Sequence, residues 1–198
     1  MAASLDDLAR SYLWVNEIEA LTVAAIRGRT LEEVVRSYGG DPATPVGEYT
    51  FADAGALATD PDRPAFHLQV VERDGRVVAV ENDGYSGNLP EIARRCSAGG
   101  GPFLSVYWNV NAYGMLTQAV DGVPTARFES LYPLLPEPHA GEVRPAWAVG
   151  EQVGAESAWA VCFALLEREG GLAFRQEWLG ERVPAYRIPD PHRLRGGH

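Results

Sequence analysis

The sequence predicts an α+β fold: an antiparallel meander sheet of five to six strands with helices packed mainly on one face. Three observations point there. Asp74-Gly75 and Asp121-Gly122 each join two alternating apolar runs, the pattern of a type I′ hairpin. The stretch "FLSVYWNVN" alternates Leu104, Val106, Trp108 and Val110 on one face with Ser105, Tyr107, Asn109 and Asn111 on the other. Segments with helix caps and glycine stops stand on either side of these runs.

In chain order, "SLDDLARSYLW" opens with Ser4 as N-cap and acids in the first turn, predicting a helix over 5–13. "EALTVAAIRG" is a short apolar run that Thr22, Val23 and Ile26 tilt toward strand. Thr30 and Glu33 form a capping box and Gly39-Gly40 a stop, predicting a helix over 31–38. Residues 41–64, rich in Pro, Gly, Ala and Asp, form a long connection that is a functional loop or hides a turn of helix. "AFHLQVVERDGRVVAVENDG" reads as the first hairpin, with His67 on its solvent face. Asn88 as N-cap and Pro90 in the first turn predict a helix over 89–97. "FLSVYWNVN", "GMLTQAV" and "VPTARFES" supply three more strands. The four prolines of "LYPLLPEPHAGEVRPAW" predict a wrapped loop, and "ESAWAVCFALLEREGG" a helix near 157–168. "FRQEWLGERVPAYRIPDP" holds a helical turn and an extended piece, and the tail from about 190 to 198 is expected to fray.

At 198 residues, 46% of them hydrophobic and five of them Trp, the chain suits one domain over 1–198 with a sizeable core. The acidic start "MAASLDDLAR" is unlike a secretory signal, and no apolar run approaches the length of a membrane span, so a cytoplasmic location is expected. The formal charge is −10, and all 17 basic residues are Arg. Residues 1–64 hold 11 acids against 5 Arg, a net of −6. That balance disfavours nucleic acid, which needs a basic footprint, and suits a basic protein partner steered by charge, with Asp60 and Asp62 among the steering acids. Cys96 and Cys162 lack C-x-x-C spacing and are expected to be reduced.

No catalytic motif appears: there is no G-x-S-x-G, H-E-x-x-H or P-loop, and "GGGPF" lacks the helix and acid of a dinucleotide fingerprint. The four His residues are too scattered to suggest a ligand set. Neither a cofactor nor a metal is expected. The candidate binding residues are Glu81, Asp83, Tyr85, Trp108, Asn109, Asn111 and Glu129. In "ENDGYSGNLPE" a strand end, a glycine loop and a helix start could present N–H groups to an anion, though Glu81, Asp83 and Glu91 would repel one. Glu81, Asp83, Asn109, Asn111 and Glu129 lie at strand ends, where convergence would suit a cation or a general base. The competing explanation is that the asparagines bond nearby backbone and shape the turn into "AYGM", with Asn111 doing that work and Trp108 buried beside Leu104, Val106 and Val110.

The runs "GRTLEEVVRSYGGDP", "VENDGYSG", "SAGGGPFLSVYWNVNAYG" and "VDGVPTARFE" resemble a domain-of-unknown-function family of actinobacterial-type genomes, over about residues 12 to 180. The resemblance implies a shared fold and no catalytic residue. Two classes of function are therefore expected. The first is a non-catalytic protein-binding factor of the immunity or antitoxin kind, which covers a basic partner with an acidic surface. The second is a small-molecule binder or hydrolase built on Glu81, Asn109, Asn111 and Glu129.

Overall fold

A computed structural model describes residues 4–57, 65–129, 142–145, 147 and 157–194. Asp60 and Asp62, most of the Pro-rich segment 131–147 and the final four residues lie outside the described residues. Among the described residues eight strands, every neighbouring pair antiparallel, form one sheet in the order β2-β8-β3-β4-β1-β5-β6-β7. In chain order these are β1 (Leu21–Ile26), β2 (Gly47–Tyr49), β3 (Phe66–Arg73), β4 (Arg76–Asn82), β5 (Pro102–Trp108), β6 (Gly114–Val120), β7 (Val123–Glu129) and β8 (Val183–Ile188). The helices are α1 (Leu5–Ser11), α2 (Leu31–Ser37), α3 (Phe51–Leu57), α4 (Pro90–Ser97), α5 (Ala158–Arg168) and α6 (Pro191–Leu194).

The count of five to six strands is corrected to eight, and the simple meander to a sheet with an inserted strand. The Asp-Gly hairpins β3–β4 and β6–β7 form as the sequence predicts, with Asp74 and Asp121 at φ near 50°. β1 enters between β4 and β5, and all six of its residues are buried because both faces of the sheet are covered there. β2 has no sequence signal, and β8 is the extended piece of "FRQEWLGERVPAYRIPDP". β2 is three residues long, and β8 carries Pro184, whose missing N–H ordinarily argues against a strand. β8 nevertheless pairs with β2 on one side and β3 on the other.

Helices pack on both faces, which corrects the expectation of one. On one face Val23, Val78, Leu104, Val106, Trp108 and Leu116 meet Tyr12, Phe163, Leu166 and Phe174 from α1, α5 and the segment after α5. On the other, Ala24, Ile26, Leu68, Val70, Ala79 and Phe103 meet Val34, Val35, Tyr38, Ile92 and Cys96 from α2, α4 and their flanks. Burial of each large aliphatic or aromatic side chain contributes on the order of 2 kcal/mol.

Most caps follow the sequence: Ser4 accepts from Asp7 N, and Thr30 and Glu33 form the capping box. Asn88 does not cap α4. That position falls to Leu89, with Pro90 first in the helix. Both cysteines are buried and in no disulfide, and burial pushes the Cys96 thiol up to about 12. Pro191–Leu194, inside the tail expected to fray, forms the short α6.

Candidate functional site

The candidate residues gather at the end of the sheet where β4, β5 and β7 finish and β1 and β6 begin. The loop after β4 is held there by a row of polar side chains on the α2–α4 face. Glu81, 1% exposed, accepts from Ser86 N at 3.0 Å through Oε2 and from Gly87 N at 2.7 Å through Oε1. Thr22 on β1 donates its hydroxyl to Gly84 O at 2.6 Å, and Ser105 on β5 donates to Gly87 O at 2.8 Å. Thr117 on β6 donates to Asn88 Oδ1 at 3.2 Å, and Arg127 on β7 to Asn88 O at 2.8 Å. Five neighbouring strands thus each supply one side chain to a single loop. A β-sheet surface is ordinarily apolar where it is covered; here the polar groups satisfy loop backbone that would otherwise be buried without partners.

The amides that could have bound an external anion are therefore engaged by the Glu81 carboxylate. Burial raises the Glu81 carboxyl to about 7, while the two amide bonds pull it down. The loop's glycines fit this close approach. A Cβ on Gly84 would lie 2.6 Å from Glu81 Oε2, and one on Gly87 2.8 Å from the Tyr38 hydroxyl.

Asn109 wires the β5–β6 turn. Its Oδ1 accepts from Asn111 N at 3.0 Å and Tyr113 N at 3.2 Å, and its Nδ2 donates to Tyr107 Oη at 3.1 Å. Asn111 contributes only its backbone N–H to this arrangement, and its side chain is exposed. Ala112 takes φ 58°, a left-handed turn conformation in which a Cβ is unfavourable. Val110 does not join the core: it is 67% exposed. Trp108 does. Its indole donates to Ile18 O at 2.9 Å and stacks on Trp159 with centroids 5.3 Å apart, which makes it a core residue.

Glu81 and Glu129 lie in one register row, Glu81–Thr22–Tyr107–Met115–Glu129. Four strand spacings separate them, about 19 Å. The Glu129 backbone donates to Glu142 Oε1 at 3.0 Å. The structure does not bring Glu81, Asn109, Asn111 and Glu129 together as one reacting cluster, and among the described residues no three His, Cys, Asp or Glu side chains are grouped to hold a metal ion.

What the strand ends do bring together is aromatic. Tyr85 on the stapled loop lies 5.6 Å from His192 and 6.4 Å from Tyr107, and Tyr107 lies 6.2 Å from Tyr113, centroid to centroid. Tyr85 and Tyr107 are half-buried, while Tyr113 and His192 are exposed. Glu19 and Asp83, both exposed and without an ion pair among the described residues, stand at the same end of the sheet, before β1 and after β4. The sequence singled out Tyr85, Asp83 and Asn109 and not Tyr107, Tyr113 and His192, which the fold places at the same sheet end. The alternation of "SVYWN" put Tyr107 on the polar face and so carried part of the signal.

A family profile covers residues 1–143. The chain belongs to DUF6461, a family of unknown function. No curated protein and no solved structure matches the chain. Family membership thus agrees with the resemblance in "VENDGYSG" and "SVYWNVNAYG". Both runs fall inside the matched region, one forming the stapled loop and the other the Asn109 turn.

Proposed function

We propose that the protein is a non-catalytic binding factor that presents its strand ends to a basic protein partner, in the manner of an immunity or antitoxin factor. The observation that carries the reading is the row Tyr85, Tyr107, Tyr113 beside the exposed Val110 and the carboxylates of Glu19 and Asp83. Tyrosine offers a large contact area at low entropic cost and a polar tip, which is why it is enriched at interfaces. Carboxylates at the rim favour a cationic partner mainly through its association rate. The polar groups that would serve a reaction are instead bound to the backbone of the chain itself, as with Glu81 and Asn109.

The test is capture of partners from the native lysate by the intact protein and by Tyr113→Ala and Glu19→Arg. Both positions are exposed, so both variants should melt like the parent. Tyr113→Ala should lose the partner, and Glu19→Arg should slow its association, with the parent complex weakening as salt rises. A captured partner that is acidic, or one held equally by all three proteins, counts against the reading.

A further inference from the structure

A second polar feature lies on the opposite face of the same sheet end. Between α3 and the ends of β3 and β4 is a pocket of about 120 Å³, lined by Ala54, Phe66, His67, Gln69, Asn82 and Asp83 among others. A single water needs roughly 10–15 Å³ on such a measure, so the space holds a small molecule.

Its unengaged polar groups are mainly acceptors. Gln69 donates its side-chain NH₂ to Tyr49 O at 2.6 Å, and Asn82 donates its own to Phe51 O at 2.9 Å. A backbone carbonyl can only accept, so both amide orientations are fixed, and the remaining groups are the acceptors Gln69 Oε1 and Asn82 Oδ1. Neither oxygen has a partner among the described residues. His67, which alternation assigned to solvent, is half-buried, and its Nδ1 is buried with no partner among the described residues. Burial and the charge of Arg187 hold its imidazole below the usual 6.5, so near neutral pH one ring nitrogen is an acceptor and the other an N–H donor. The Asp83 carboxylate completes the set, without a hydrogen-bond partner among the described residues.

We propose that this pocket binds a small organic cation rich in N–H donors, an ammonium or guanidinium group, between His67, Gln69, Asn82 and Asp83. The acceptors ask for donors, and Asp83 asks for positive charge. Exposed Arg187, opposite His67 in register, opposes a cation and keeps the expected affinity low, on the order of millimolar. A free alkylguanidine and an arginine side chain of a protein partner share this chemistry. Only the second source rests on the function proposed above.

The experiment follows the His67 imidazole by NMR, with His67→Phe identifying its signals. The probes are methylguanidinium, methylammonium, N-acetylargininamide and tetramethylammonium, each against an equal concentration of sodium chloride. Saturable shifts are expected with methylguanidinium or methylammonium and none with tetramethylammonium, which has the charge but no N–H. Asp83→Asn, at an exposed position with φ 54° that Asn tolerates, should keep the melting temperature and weaken binding about tenfold. If N-acetylargininamide also saturates, an arginine of a partner can be the source; if only the small cations do, the ligand is a free one. Either result supports the pocket even where no protein partner is captured. The proposal is overturned if neither methylguanidinium nor methylammonium saturates, if tetramethylammonium shifts His67 equally, or if Asp83→Asn binds like the parent.

Discussion

Asn109 and Asn111 stand two residues apart in the same turn, and their side chains do different work. Asn109 accepts from two backbone N–H groups, whereas the Asn111 side chain points to no backbone group. Asn109→Ala is expected to cost about 1–2 kcal/mol, for two donors left without their acceptor. Asn111→Ala should stay within about 0.5 kcal/mol, as exposed substitutions do. Urea melts of the two variants check this, and equal destabilisation would refute the assignment. The Asn109–Asn111 pair also shows how far alternation reads. It put both side chains on the polar face, but which of them turns back onto the loop depends on the Ala112 conformation, which no local pattern announces.

Glu81 gives the fold a pH dependence. Its carboxyl titrates near 7 in the folded chain against an ordinary 4.5, so the folded state holds the proton more tightly than the unfolded state does. The stabilisation linked to that proton is full below about pH 4.5 and is lost as pH rises through about 7, amounting to roughly 3 kcal/mol at most. His67 is shifted down and works in the opposite sense, since its neutral form is favoured. The difference between parent and Glu81→Gln isolates the carboxyl: the parent should lose stability relative to the variant between pH 4.5 and 7. Parallel stability curves across that range would show that the carboxyl is not so perturbed.

At the scale of the element, the stapled loop rests on a close approach among Gly87, Thr22 and Tyr38. A Cβ on Gly87 would meet the Tyr38 hydroxyl at 2.8 Å and Thr22 Cγ2 at 2.9 Å. Gly87→Ala should therefore cost about 1–3 kcal/mol by overpacking. Tyr38→Phe removes a buried hydroxyl that has no partner among the described residues, and should be neutral or stabilising. The two changes should couple: adding Tyr38→Phe should recover part of the Gly87→Ala loss in a double-mutant cycle. Strict additivity in thermal melts would mean that the contact is not felt.

The elements also divide by what announced them. Helices with a local signal, such as the Thr30–Glu33 capping box or the glycines after α5, were legible to within one or two residues. β2 was hidden in a Gly/Pro-rich stretch, and β8 was legible only as an extended piece, because both owe their pairing to distant chain and not to their own pattern. The loop's staples were half legible. "VENDGYSG" marked the place, but Glu81 read as a free carboxylate because its acceptors' partners are Ser86 N and Gly87 N, backbone groups that any sequence carries.

Across the whole molecule arginines stand at both ends of the sheet. The end opposite the tyrosines carries Arg27 and Arg29 after β1, Arg76 beside the Asp74-Gly75 turn, and Arg94 and Arg95 in the last turn of α4. Several are tied to carboxylates: Arg29 to Glu33, and Arg94 and Arg95 to Glu91. The tyrosine end is not free of them: Arg187 pairs in register with His67 at the start of β3, and Arg193 follows the His192 that packs on Tyr85, so Glu19 and Asp83 stand among cations there too.

The same view decides how much of the chain the fold needs. The family profile stops at residue 143, but the sheet does not. β8 lies between β2 and β3, so without it β2 has no neighbour and β3 becomes an open edge. α5 and the segment after it place Phe163, Leu166, Leu172 and Phe174 on the face that buries Trp108, Val106 and Val23. Removing them uncovers that face across the central strands, a loss far larger than the marginal stability of a domain this size. A chain ended after residue 143 should therefore show no cooperative unfolding in urea and should expose apolar surface to a dye such as ANS, while the full chain unfolds in one transition. A sigmoidal urea transition from the truncated chain, with native-like tryptophan fluorescence, would show that residues 1–143 hold the sheet without β8 and α5.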